Sequence, residues 1–297
     1  MDDIGEYLMP NPSLRKAIRD IRSETGIGWD IIEQDYVLSW MLFGISNIEK
    51  LKTPLIFKGG TALKKCYFGD YRFSQDLDFS VRGDCPKGED LFVLIQEACS
   101  FAAKVQDDIE FKCNRYLEAE AHPEGQEAFV IHARLPWQRE FNTSVKVEVT
   151  MKEPVVLEPI LKKVIHGYGE KLDAVIMTYC VEEIIAEKIR AILQYAKKLH
   201  ERGWGRSRVR DYYDLWRIFG KYGNSIDKKI IPNLVRQKCE LKKVTLASVD
   251  DLFQERLMHI INTEWEKWLS PLVPLIPESN IVVSELKVYL KDVFGEL

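Results

Sequence analysis

Apolar positions along this chain recur with two different periods, and the change of period divides it. Leu14, Ile18 and Ile21 share one helical face, behind an Asn11-Pro12-Ser13 start in which Asn11 caps and Pro12 occupies the first turn, and Gly26 ends the helix. From about Asp30 to Ile48, the residues Ile32, Val37, Trp40, Met41 and Leu42 predict a helix apolar enough to be buried. Residues 54–57 predict a short apolar strand, followed by a Lys58-Gly59-Gly60-Thr61 turn and a helix over residues 62–68. A second strand is predicted at 77–81 and an amphipathic helix at 89–105, with Leu91, Ile95, Ala98 and Ala102 on one stripe. Three further strands follow at 109–116, 128–135 and 144–151. The last alternates, with Val145, Val147 and Val149 facing one way and Lys146, Glu148 and Thr150 the other. After Tyr179 the period is helical almost to the end. The pattern predicts an α+β protein of two lobes: a mixed α/β front lobe over residues 1–175 and a mainly α-helical rear lobe over residues 176–297.

Composition narrows the class without naming a chemistry. With 297 residues, 46% hydrophobic and 30% charged, the chain has material for one large or two ordinary globular domains. A formal net charge of −4 is too mild to mark a nucleic-acid binder by itself, and leaves room for a local basic patch. Cysteines 66, 85, 99, 113, 180 and 239 form no CxxC pair, so neither a zinc site nor a disulfide framework is expected, and free thiols suit a reducing compartment. Asp2, Asp3 and Glu6 contradict the basic start of a signal peptide, and the longest apolar run, near Val37 to Ile45, is about half a membrane span. A cytoplasmic protein with no membrane partner is the expectation.

The sharpest local feature is Asp76-Leu77-Asp78-Phe79. On a strand, residues two apart share a face, with backbones about 6.5–7 Å apart. Both carboxylates therefore reach one site while Leu77 and Phe79 pack behind. Such a pair suits two magnesium ions about 3.5–4 Å apart. Alone, the same spacing also describes two solvated aspartates. Its company matters: strand, Gly59-Gly60-Thr61, then helix, an order in which glycines admit phosphates close to backbone N–H groups at a helix start. Glu148, on the polar face of a valine-lined strand, is a candidate third carboxylate for in-line phosphoryl transfer, with an exposed pairing to Lys146 as the alternative.

In the rear lobe, Val181, Ile184, Ile185, Ile189, Ile192 and Leu193 form an apolar stripe, and Lys188 lies on its edge. A lysine there is partly desolvated and needs an anion, whether phosphate, Asp211 or Glu187. Asp211 and Asp214 share one helical face. Just before them, residues 197–210 hold six Lys/Arg, among them Arg206, Arg208 and Arg210, against one acid, with Trp204 between two glycines. This segment can follow phosphates and stack a base, binding triphosphate, an acceptor, or both; a solvated loop is the alternative. His122, His132, His166, His200 and His259 show no metal-ligand spacing. Trp216, Trp265 and Trp268 are expected in packing roles.

The stretches Phe57-Lys58-Gly59-Gly60-Thr61-Ala62-Leu63 and Arg72-Phe73-Ser74-Gln75-Asp76-Leu77-Asp78-Phe79 resemble the first motif of the AbiEii/AbiGii toxin family of DNA-polymerase-β-like nucleotidyltransferases. Ile32-Glu33-Gln34-Asp35-Tyr36 resembles its acidic segment, residues 182–192 its helical lysine motif, and Arg210-Asp211-Tyr212-Tyr213-Asp214-Leu215 its R-D-x-x-D-L motif. The four occur in the family's order over roughly residues 28–220. The resemblance implies a nucleotidyltransferase-fold sheet flanked by helices, and transfer of NMP from an NTP to an acceptor hydroxyl with release of pyrophosphate. It implies Asp76 and Asp78 as ligands of Mg2+ (or Mn2+), with Glu148 as a less firm third ligand. Gly59, Gly60, Thr61, Lys64 and Ser74 would lie by the triphosphate, Lys188 would contact phosphate, and Asp211 would orient Lys188 or act on the acceptor. It further implies the toxin half of a bacterial toxin–antitoxin or phage-defence pair, with a cognate antitoxin, and an RNA acceptor such as a tRNA 3′ end. The alternatives are transfer to a small molecule or a protein side chain, or a non-catalytic nucleotide- or RNA-binding module.

Overall fold

The computed structural model describes residues 14–116 and 125–295. The expected Asn11-Pro12-Ser13 helix start and His122 lie outside the described residues. Contacts divide the chain into Met1–Tyr179 and Cys180–Leu297, and each unit is described by itself.

The first unit is a seven-stranded mixed sheet with helices. Its strands are β1 (Leu55–Lys58), β2 (Asp76–Val81), β3 (Glu110–Tyr116), β4 (Gln126–Arg134), β5 (Thr143–Thr150), β6 (Ile160–Lys163) and β7 (Val175–Thr178). They lie in the order β3-β4-β5-β2-β1-β7-β6. β2 runs parallel to β5 and antiparallel to β1, and β1 is parallel to β7. The chain thus returns to the sheet centre through β1 and β2, whose residues Leu55, Phe57, Leu77 and Phe79 are fully buried. The five strands expected from the pattern are present. β6 and β7 were not expected: each has four residues, and the alternation that marks a half-buried strand needs more length than that.

Helices α1 (Leu14–Thr25), α2 (Trp29–Ser46), α3 (Glu49–Lys52), α4 (Gly59–Ala62) and α5 (Glu89–Val105) accompany the sheet. α1 ends in Gly26, whose φ of +71° suits a residue without Cβ. α2 is buried around its whole circumference, which is why it carries apolar residues on every face. α5 buries Leu91, Ile95, Ala98 and Ala102, the stripe read from the pattern. α4 starts at the glycines themselves rather than after them, and continues as a π-helical turn, Leu63–Tyr67, in which the Phe68 N–H reaches Leu63 O at 2.8 Å.

The second unit is helical among its described residues: α6 (Val181–Arg202), α7 (Val209–Tyr222), α8 (Ile231–Leu241), α9 (Glu255–Leu269) and α10 (Ser279–Phe294), with a 3-10 turn at Val249–Leu252. α6 packs most closely on α8, and α7 on α10, α6 and α9. Trp265 is buried here, while Trp216 and Trp268 are half-buried and donate their N–H groups to Glu285 and Glu264. All six cysteines are free thiols. No described helix is long and apolar enough to cross a membrane.

Candidate active site

The site is built where β1 turns into α4. β1 is entirely buried near the sheet centre, and its last residue, Lys58, leads directly into Gly59. Gly59 has φ +81°, and a Cβ on it would stand 2.7 Å from Asp78 Oδ2. Here the missing side chain is required twice, by the backbone and by the carboxylate lying against it. Gly60 is constrained by space alone, since a Cβ there would overlap the Arg72 guanidinium. Thr61 is buried, exchanges a hydrogen bond with Ser74 Oγ at 2.7 Å and bonds the Asp76 carbonyl. These bonds tie the start of α4 to the strand that bears the carboxylates.

Strand register does the rest. Lys58 pairs with Asp78 across the antiparallel β1–β2 ladder. In the parallel β2–β5 ladder, Asp76 is opposite Lys146 and Asp78 opposite Glu148. Lateral neighbours in a sheet share a face, so Asp76, Asp78 and Glu148 lie on one side, with Leu77 and Phe79 on the other. The three carboxylates are brought together. Burial pushes the Asp78 carboxyl up to about 7, and the charges of Glu148 and Asp76 push the same way while Lys58 opposes them. Glu148 also forms an ion pair with Lys146, whose Nζ lies 4.2 Å from the Tyr116 ring centre. Among the described residues no three such side chains close around one point as they stand. The donor set nevertheless fits a hard divalent cation: oxygen only, and crowded enough that Glu148 and Asp76 both push the Asp78 carboxyl up.

Lys64 turns its ammonium over the Phe73 ring at 4.0 Å. Lys58 is paired with Glu153 in the interior. Lys65, not singled out from the sequence, is fully buried and donates to Asp35 Oδ2 at 2.7 Å, to the Asp35 carbonyl at 3.0 Å and to Ser39 at 2.8 Å. The Tyr168 hydroxyl adds a fourth bond, to the Asp35 carboxylate at 2.8 Å. Glu33 accepts from Trp29, Trp137, Gln138 and Thr143. The acidic segment is therefore a scaffold that locks α2 onto the π-helical turn and onto the strand-edge loops. The signal was available: two carboxylates inside an otherwise apolar helix require internal partners.

In the second unit, Lys188 is buried and bonds Asp211 Oδ1 at 3.0 Å and Asp214 Oδ2 at 2.5 Å. Burial alone raises the Asp211 carboxyl, but Lys188 and Arg208 hold it below the ordinary carboxylate range. Glu187, the other anion expected for Lys188, instead accepts from Lys238, which also pairs with Glu183 at 2.7 Å. Arg206 is exposed, whereas Arg208 and Arg210 are half-buried, Arg208 reaching Asp211 at 3.5 Å and Arg210 standing over Trp268.

A family model described as "Nucleotidyl transferase AbiEii toxin, Type IV TA system" matches residues 40–290. No curated protein sequence matches the chain. Among solved structures, MenT4, a nucleotidyltransferase toxin from Mycobacterium tuberculosis, is similar with a TM-score of 0.57 at 20% identity, over 97% of this chain and 89% of that one. At that identity the likeness bears on the fold. The family match, which runs across both units, identifies the activity: this chain belongs to the AbiEii nucleotidyltransferase toxins of type IV toxin–antitoxin systems.

Proposed function

We propose that this nucleotidyltransferase moves NMP from an NTP to a hydroxyl of RNA, with a tRNA 3′ end as the leading acceptor. The observation that carries the catalytic part is the register that sets Asp76, Asp78 and Glu148 side by side against Gly59. Backbone N–H groups at the start of α4 face the triphosphate, and Thr61 and Ser74 keep that turn joined to β2. Asp76 and Asp78, with Glu148, would hold Mg2+ or Mn2+, which when bound supplies charge neutralisation on the triphosphate and polarises the attacking hydroxyl. Glu148 exchanges its Lys146 partner for this role. Lys188 contacts phosphate by relinquishing one of its two carboxylates; Asp211 is the more exposed and the one able to turn to the acceptor. The basic segment 197–210 supports RNA over a small molecule. Membership of a type IV family implies a cognate antitoxin.

The test is incubation with each labelled NTP, Mg2+ and total cellular RNA, beside an Asp76→Ala/Asp78→Ala control. Label in RNA that the control lacks is the expected result. Label in protein or in a small molecule overturns the acceptor, and no transfer to any acceptor overturns the catalytic assignment.

A further inference from the structure

One aromatic side chain in the second unit is left in water without a packing reason. Trp204 is 72% exposed, in the segment joining α6 to α7. Exposing an indole forgoes about 2 kcal/mol of burial, so a solvent-facing tryptophan commonly marks a contact surface. The backbone beside it is anchored. Gly203 ends α6 at φ +79°. Gly205 lies so close to the Tyr195 ring that a Cβ would stand 2.9 Å from two ring carbons. The segment is held while the indole is presented.

Cations gather around it from two places in the sequence. Residues 197–210 carry Lys197, Lys198, Arg202, Arg206, Arg208 and Arg210 against Glu201. α9 contributes one more that the linear sequence does not place nearby. Arg256 Nη2 is 3.4 Å from the Gly203 carbonyl. Glu201 and Glu255 lie beside these cations, Glu201 3.9 Å from Lys197. The other large exposed apolar residues of the unit, Leu241, Leu275, Ile281 and Val288, belong to other segments. The surface is thus a single flat aromatic within a field of positive charge, rather than the contiguous apolar patch a protein partner needs. Unpaired nucleotides offer the complement, an exposed base face flanked by phosphates; a duplex hides its bases.

We propose that Trp204, with Arg206 and Arg256, is a single-stranded RNA-binding surface, the indole stacking on an unpaired base and the cations following the neighbouring phosphates. This rests on the RNA-acceptor reading above and names the segment that grips the acceptor.

The experiment is a fluorescence-anisotropy titration of the full-length protein, without nucleotide, using a short unpaired RNA labelled at its 5′ end and a blunt duplex of the same sequence. Trp204→Ala should weaken binding to unpaired RNA about tenfold, the loss of one stacked base, without changing the salt dependence. Trp204→Phe should recover most of it. Arg206→Ala/Arg256→Ala should lower the slope of log K against log salt by about 1.4. All three variants alter surface residues, and unchanged melting temperatures establish that they are folded. Wild-type affinity in Trp204→Ala, or an equal loss on the duplex, overturns the surface. Transferase activity on a small molecule or protein with no measurable RNA binding overturns this surface and leaves the catalytic assignment standing. Trp204-dependent RNA binding without transfer to RNA leaves the surface and removes the acceptor reading.

Discussion

Replacing Gly59 by alanine tests whether the glycine turn serves the carboxylates or only the chain reversal. Two effects are combined at this position. The backbone has φ +81°, which costs an L-residue about 1–2 kcal/mol. The added Cβ would also stand 2.7 Å from Asp78 Oδ2, forcing the carboxylate away. A retreat of about 0.5–1 Å restores ordinary contact, and a misplacement of that size at a reacting centre costs up to about 100-fold. Gly83 separates the two effects, because it has φ +78° and nothing within 4 Å of its would-be Cβ. Gly83→Ala should therefore bear the backbone cost alone, lowering the melting temperature by roughly 2–8 °C, and Gly59→Ala at least as much. Only Gly59→Ala should lose turnover, by about 10- to 100-fold in kcat, measured as pyrophosphate release well below both melting temperatures. Wild-type turnover in Gly59→Ala would refute the reasoning, as would an equal loss in Gly83→Ala.

Other consequences follow from the buried ion pairs. Lys65→Met leaves Asp35 buried without its cation and should cost about 3–5 kcal/mol in urea unfolding, whereas Asp35→Asn/Lys65→Met should recover at least half of it; equal losses would contradict the pairing. Burial alone raises the Asp35 carboxyl, but Lys65, Lys64 and Tyr168 hold it below the ordinary value. Its contribution is therefore present above about pH 4 and lost as the pH falls through the lowered folded value. The stability gap between wild type and Asp35→Asn should close as the pH falls below about 4; a gap that widens in acid contradicts the sign. Lys188→Met strands the fully buried Asp214 and should destabilise the second unit by about 3–5 kcal/mol, seen as an earlier unfolding transition. Asp211→Asn keeps the Lys188–Asp214 pair and should cost only about 1 kcal/mol, so turnover measured in the folded variant tests the role proposed for Asp211.

The elements that were legible in the sequence are those whose burial is written in a period. α5 carries its buried stripe at helical spacing, and β5 alternates valines with polar residues because one face is covered. α2 was legible as buried because it is apolar all round. β6 and β7 were not, since four residues carry too little pattern and their place comes from pairing, Thr178 with Phe57 in one direction and Ile160 in the other. The contact between Arg256 and the Gly203 carbonyl was equally hidden, because it depends on how α9 packs rather than on any local spacing. The D-x-D spacing told which two carboxylates share a face. It carried no information on which strand lies beside them, and it is the β2–β5 register that adds Glu148.

Two aspartates in the first unit make the difference between scaffold and site explicit. Asp35 and Asp78 are both desolvated, and burial pushes both carboxyls upward. Asp35 is answered by a lysine inside the same network, and its carboxyl ends below the ordinary value. Asp78 has two lysines in neighbouring positions of the sheet, but Lys58 is paired with Glu153 and Lys146 with Glu148. Its other neighbours on that face, Asp76 and Glu148, are acids, and its carboxyl ends near 7. A fold that required Asp78 only for packing would be more stable with an apolar residue there, since a desolvated carboxylate set beside two other acids is costly. That cost is offset where charge is supplied from outside the chain, as the Mg2+ or Mn2+ proposed for Asp76, Asp78 and Glu148 would do.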